Sequence, residues 1–305
     1  MARFLTIRAL RGAGTLLGVL ALTFALGRLT GDPVALLLPQ SATIADYEAM
    51  RARLGLDAPL PVQFGDYLAR AARGDLGTSV VLNRPALDLV LERLPATLRL
   101  GGLAFLTALI IGMPLGILAA VRRGGAFDRV VRDLSLALQS VPSFVVGILA
   151  ILLFGVGLRW LPTFGADGPL HYVLPVATLA LLPLALLLRL TRSSLLEVLN
   201  EDYVRTARSK GAAQPRVVLR HALRNALAPV VTVLGLQLAG LIGGAVVIET
   251  VFAWPGVGSL AVAAINGRDF PIVQTVVLLS ATAFVMSNLL VDLLYGVLDP
   301  RVQTA

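Results

Sequence analysis

The chain has 305 residues, of which 57% are hydrophobic and only 14% charged, and its mean hydropathy is +0.83. An ordinary soluble domain carries about 25% charge, so the two soluble domains that this length would allow are excluded. The net charge of +8 would suggest nucleic acid in a soluble protein. Here it points to loops that meet an anionic membrane surface, with no nucleic-acid partner expected. Cysteine is absent, which excludes disulfides, thiolate nucleophiles and thiolate metal sites.

A membrane-crossing helix needs about 20 apolar residues. Six such runs follow in chain order: Gly12–Leu29, Leu100–Val121, Leu134–Leu158, Tyr172–Leu188, Ala226–Ile248 and Phe270–Val291, the last extending past Asp292 to Leu298. Continuous apolar runs exclude the alternating strands of an outer-membrane barrel, so the expected fold class is all-α with six transmembrane helices. Arg3, Arg8 and Arg11 precede the first run, and Ala25-Leu26-Gly27 resembles a weak cleavage site. A signal peptide would look similar. The run is read as a retained helix, and its removal would leave the other five with the same orientation.

Charge sets that orientation. With the N-terminus inside, the inside segments hold 16 basic and 7 acidic residues and the outside segments 10 and 11. The positive-inside rule then places both termini in the cytoplasm. The expected organisation is residues 1–30 as tail and first helix, 31–96 as an extracytoplasmic region of short helices, 97–298 as a five-helix core, and 299–305 as a cytoplasmic tail. The core contains a long inside segment, 189–228.

Most chemistry is excluded by what the residues are. The two histidines, His171 and His221, form no HExxH pair, so an intramembrane zinc protease is not expected. The apolar runs lack the midplane charges that pumps use. A P-loop needs Lys followed by Ser or Thr, but the one lysine, Lys210, is followed by Gly211. No catalytic or metal-binding residue is assigned. Any ATP and magnesium would sit on another subunit, and this chain needs no cofactor.

The inside segment reads as an elbow. Glu201–Lys210 has acids at its start, suited to a helix N-terminus. Gly211 breaks it. Pro215 suits the first turn of a second helix that runs to Arg224. Arg205 and Arg208 share a face, and Ala207 with Gly211 offers a small-residue surface. Such a basic segment is also what a loop lying on lipid headgroups would show.

The wording of this segment, DYVRTARSKG at Asp202–Gly211 followed by RHALRNALAP at Arg220–Pro229, resembles the cytoplasmic coupling loop of permease subunits of bacterial ABC importers, in the dipeptide/oligopeptide/nickel branch. Nearly the whole chain shares the resemblance: Gly31–Pro33, Leu54–Leu68, GDLGTS at Gly74–Ser79, RLPATLRL at Arg93–Leu100, VPSF at Val141–Phe144, ETVFAWPGVG at Glu249–Gly258 and VDLLYGVLDPR at Val291–Arg301. Where other importer permeases carry Glu-Ala-Ala, this chain has Arg205-Thr206-Ala207, so a glutamate-based contact does not carry over.

The resemblance implies a type I permease fold and a non-catalytic subunit. It implies partners too: a second, similar permease, two ATPases that hold ATP, an extracytoplasmic solute-binding protein, and membrane lipid. The expected cargo is a di- or oligopeptide, with nickel–chelate or glutathione as the alternative. A membrane scaffold without transport is the more remote reading. The expected ATPase-coupling residues are Glu201, Asp202, Tyr203, Arg205, Thr206, Ala207, Arg208, Lys210, Gly211, His221, Arg224 and Asn225. For the pathway, polar and helix-breaking residues in the runs nominate Gln139, Ser140, Pro142, Ser143, Gln237 and Glu249, although a span glutamine serves equally as glue between helices. Gly112–Gly116 and Gly240–Gly244 have GxxxG spacing, which lets helices approach closely.

Overall fold

The computed structural model describes residues 2–29, 34, 43–53, 56–240, 243 and 245–298, and among them no sheet forms. The expected motif Gly31–Pro33, the start of Leu54–Leu68 and residues 299–305 lie outside the described residues. The chain divides into two compact units, residues 1–95 with 256–285, and residues 96–255 with 286–305.

The first unit opens with α1 (Ala2–Leu29). Next comes α2 (Ile44–Arg53), which starts on a reciprocal cap. Thr43 donates its backbone N–H and its hydroxyl to Asp46, and the Asp46 N–H donates back to Thr43 Oγ1. This is a capping box with Asp in the third position, and the Thr43 hydroxyl holds the Asp46 carboxyl below its ordinary pKa. Helix α3 (Leu60–Ala72) carries Pro in its first turn, where no N–H is missed. It lies on α1 through Phe64 and Tyr67, whose rings sit 5.3 and 5.7 Å from Phe24. Helix α4 (Ala86–Val121) begins in this unit. Its first residues, Ala86, Leu89 and Val90, pack against Val257 and Ala264 of α11 (Val257–Asn266) and Ile272 and Val276 of α12 (Phe270–Leu298). α1 and α12 run antiparallel. A Cβ on Gly12 would meet Val285, and one on Gly27 would meet Gln274, whose Nε2 donates to the Thr23 carbonyl at 3.1 Å. Gln274 is thus a tie between helices.

In the second unit, α7 (Val173–Leu199) is central. Leu187 joins Ala108 of α4 and Val230 of α9 (Leu223–Ala239) in one core cluster. Leu188 joins Ala119 of α4 and Val131 of α5 (Ala126–Ser140) in a second. Leu174 packs with Ile151, Ile248 and Phe252 in a third. The GxxxG reading at Gly112–Gly116 has a direct cause. A Cβ on Gly112 would lie 2.9 Å from the Leu184 carbonyl oxygen, and one on Gly116 2.6 Å from that of Leu188. Gly244 of the second GxxxG pair lies outside the described residues. Helix α5 is fastened to α7 by an ion pair: Arg192 Nε donates to Asp128 Oδ1 at 2.5 Å and Nη2 to Oδ2 at 3.0 Å.

Four sequence expectations are corrected. The run Leu134–Leu158 is not one straight helix: α5 ends at Ser140, α6 (Ser143–Ala150) follows, and the pair is bent by 96°. Val141 is extended (φ −103°, ψ 126°) because the residue before a proline is pushed out of the helical region. α6 then continues as a π-helix over Ile151–Gly157. The run Ala226–Ile248 is not one helix either. Its described helix ends at Ala239, and Val246–Val251 forms a separate α10. The second span starts at Ala86, not Leu100, and the fourth continues to Leu199. Among the described residues, five helices are long and apolar enough to cross a membrane, or six if the bent pair is one span. Their exposed Leu17, Leu22, Ile110, Leu149, Leu153 and Phe284 suit hydrocarbon, not water.

Candidate functional site

The segment from Glu201 to Asn225 folds as a short helix and a return. Glu201 is the extended N-cap of α8 (Asp202–Ser209), its carbonyl accepting from Val204 and Arg205. Asp202 lies in the first turn and Arg208 in the last, so each charge opposes the helix dipole. Helix α8 is amphipathic around one residue. Val204 is fully buried with Leu195 and Leu199 of α7, Ala120 of α4, Val217, Val218 and Ala222 of the returning chain, and Ala226 of α9. Tyr203, Arg205, Thr206, Arg208 and Lys210 are exposed, while Ala207 is half-buried.

Gly211 ends α8 at φ +79°, a left-handed conformation that favours glycine. Its N–H donates to the Arg208 carbonyl and that of Ala212 to Ala207, the helix-ending pattern in which a left-handed residue satisfies the last carbonyls. The return starts with Gln214–Arg216, with Pro215 in the first turn as expected. It widens into a π-helix over Val217–Ala222 and passes without a break into α9. The expected stop at Arg224 is therefore absent: Arg224 and Asn225 stand in the first turn of a spanning helix.

Polar groups of the elbow divide into those turned back on the chain and those presented outward. The Thr206 hydroxyl donates to the Asp202 carbonyl at 3.0 Å. Asn225 Nδ2 donates to the Tyr203 hydroxyl at 2.7 Å. Arg205 Nη1 stands 3.5 Å from Asp202 Oδ1, with both side chains exposed; such a pair contributes little. His221 is half-buried. Outward stand Arg205, Arg208, Lys210, Arg216, Arg220 and Arg224, together with Leu219. The arrangement is a basic, partly apolar surface on a rigidly anchored short helix. Such a surface can bind an acid-bearing groove, and through the Val204 cluster it is packed on α7 and α9.

The pathway candidates fall in separate places. Gln139, Ser140, Pro142 and Ser143 come together at the bend between α5 and α6. There Gln139 Nε2 donates to the Ser135 carbonyl and the Ser140 hydroxyl to that of Leu136. Gln237 is half-buried in α9. Glu249 is fully buried and accepts from the Thr97 hydroxyl at 2.6 Å, beside Trp254, whose Nε1 donates to the Ala96 carbonyl. Glu249 thus fastens α10 to α4. Among the described residues no three His, Asp or Glu side chains gather as a metal site.

Two charged residues were missed as fixed points. Asp128 entered the sequence reading only as a charge, yet it is buried against Arg192. Asp269 is 1% exposed. It accepts from the Ser79 hydroxyl and from the N–H groups of Val80 and Val81, pinning the Gly74–Pro85 loop, whose Gly74 and Gly77 have positive φ. Both pairs are distant in sequence, so no local spacing announces them.

Residues 112–304 match the family described as the binding-protein-dependent transport system inner membrane component, and residues 1–101 match its N-terminal region. The chain is similar to the glutathione transport system permease protein GsiC of Pectobacterium atrosepticum, 46% identical over 290 residues that cover 95% of each chain. The protein of the same name from Escherichia coli K12 is 44% identical over 275 residues, 90% of each chain. Among solved structures the chain is similar to the MetNI methionine ABC transporter in an inward-facing conformation. That likeness has a TM-score of 0.60 at 20% identity, over 69% of this chain and 96% of the other; at that identity it shows the fold alone.

Proposed function

Since the chain belongs to the family of binding-protein-dependent inner membrane components, the multi-pass permease subunits of ABC importers, we propose that it forms the membrane pathway of an importer for glutathione or short peptides of that size. The observation that carries the cargo is the similarity, over 95% of both chains, to a glutathione transport system permease protein. The similarity supports the glutathione alternative and not the di- and oligopeptides expected first, although glutathione is itself a tripeptide with one unusual linkage. In this reading both termini and residues 189–228 face the cytoplasm. The α8 surface, with Tyr203, Arg205, Thr206, Ala207, Arg208, Lys210 and Gly211 and the nearby His221, Arg224 and Asn225, docks on an ATPase subunit that holds ATP and magnesium. A second permease completes the pathway, and a solute-binding protein delivers the cargo from outside.

The test is uptake of radiolabelled glutathione by cells that carry the complete system, against a strain lacking this chain. Excess unlabelled glutathione, dipeptide, oligopeptide or nickel–chelate is added in parallel. Competition by glutathione alone supports the reading. Glutathione uptake that deletion leaves unchanged, while uptake of a labelled dipeptide or oligopeptide is lost, overturns the cargo; no loss of any of these uptakes on deletion overturns transport itself.

A further inference from the structure

The elbow contains a soft element and a link that bypasses it. The soft element is the π-helical stretch Val217–Ala222, where the chain carries a wider turn than the α-helices on either side. Such turns are rare, and they often mark functional positions inside helices. It stands between the tip of the elbow and the spanning helix α9. Its inner residues Val217, Val218 and Ala222 are buried while Leu219 and Arg220 are exposed, so only its inner face is packed. A push on α8 that travelled only along the backbone would have to pass through this stretch.

The link is the hydrogen bond from Asn225 Nδ2 to the Tyr203 hydroxyl at 2.7 Å. It joins the first turn of α8 to the first turn of α9, twenty-two positions away in sequence. Asn225 follows the π stretch by three residues, so the bond spans the soft element from one side to the other. Val204, the next residue after Tyr203, is fully buried in the cluster that includes Ala226, the next residue after Asn225. The two helices therefore meet through neighbouring apolar residues as well, and the hydroxyl adds the directional part of the contact.

We propose that Tyr203 and Asn225 are positioning residues: their hydrogen bond makes α8 and α9 move together, so that a displacement of α8 reaches the membrane span instead of being absorbed by the π-helical turn. This rests on the reading of α8 as the ATPase-docking helix. It adds that the Tyr203 hydroxyl works within this chain and not on the partner.

The absence of cysteine makes the test direct. The assembled importer, with its ATPase subunits, is prepared with S209C on α8 and A228C on α9, both exposed positions. Both carry nitroxide labels. The distance distribution is measured by double electron–electron resonance with and without ATP, in the otherwise native chain and in Y203F, N225A and Y203F/N225A. The native pair is expected to stay narrow in both states. Each single variant broadens it, and the double variant broadens it no further, since either change breaks the same bond. In proteoliposomes, solute taken up per ATP hydrolysed falls by about two- to tenfold in each variant, the range one net hydrogen bond covers. A Y203F distribution as narrow as the native one, with an unchanged uptake-to-ATP ratio, overturns the proposal. Effects that add in the double variant also overturn it, because they would show two independent contacts. If the complex that carries S209C alone, with Tyr203 and Asn225 intact, shows no cross-link between α8 and the ATPase, the docking reading fails instead, and the two failures are separate.

Discussion

Gly112 and Gly116 show how much a single hydrogen atom in place of a methyl decides here. Each stands where α4 meets the α7 backbone, and the added Cβ would come within 2.9 and 2.6 Å of a carbonyl oxygen. Neither oxygen belongs to a side chain that can swing away, so the helices themselves must part. Overpacking of this kind costs about 1–3 kcal/mol. G116A is expected to lower the thermal midpoint of the detergent-solubilised complex clearly and G112A somewhat less. Gly102 on the same helix is the control, because nothing lies within 4 Å of its added Cβ. There alanine should be neutral or stabilise by about 0.5–1 kcal/mol through lower backbone entropy in the unfolded chain. Equal midpoints for G116A and G102A would show that α4 and α7 do not pack this closely. The GxxxG spacing was legible in the sequence; which helix fills the groove was not, since Leu184 and Leu188 are two among many leucines.

At the scale of elements, the elbow is legible in the sequence from Glu201 to Pro215 and its far end at Arg224 is not. Acids at Glu201 and Asp202, a glycine at 211 and a proline at 215 are local signals, and each does what its chemistry requires. The far end went unseen because the basic residues from Arg216 to Arg224 end an apolar run without ending a helix. Hydropathy registers where lipid stops, whereas the helix continues on hydrogen bonds alone. The early start of α4 has the same cause: Asp88, Glu92 and Arg93 are helical but not apolar. For Gly211 the structure separates two explanations, since an added Cβ would meet nothing within 4 Å while φ is +79°. Conformation, not space, demands glycine. G211N, which tolerates this region, should retain most coupling. G211V, which has room but a β-branched side chain at positive φ, should lose ATP-driven uptake while the complex still assembles. Equal uptake in both variants would remove the turn from the mechanism. The Asp128–Arg192 pair fastens α5 to α7 in the same unit. D128A leaves a guanidinium with 20% exposure unpaired and should cost about 3 kcal/mol, the low end for a buried pair. The double variant D128L/R192L should recover most of that loss, as apolar replacements of buried pairs do. A double variant no more stable than D128A would mean that the pair does more than join two helices.

On the whole chain, the sides of the membrane are an expectation from charge that labelling can test. The sequence distributes charge as a net +9 over the inside segments and −1 over the outside ones. Within the first unit α1 and α12 run antiparallel, with Gly12 near Val285 and Gly27 near Gln274, so Gly12 and Val285 lie toward one side and Gly27 and Gln274 toward the other. The bend between α5 and α6 leaves the count legible as five or six spans, and the sides depend on that bent pair crossing fully. If it returned to the side it left, every later segment would be inverted relative to the first helix. A cysteine-free chain allows the question to be asked one position at a time. A69C, exposed on α3, precedes the bend, and S209C, exposed on α8, follows it. In intact spheroplasts a membrane-impermeant maleimide is expected to label A69C and to spare S209C until the membrane is opened. Inverted vesicles should reverse the pattern. Labelling of both from outside would mean that the bent pair does not cross. Labelling of S209C alone would invert the whole chain and place its basic elbow away from any ATP-bearing partner.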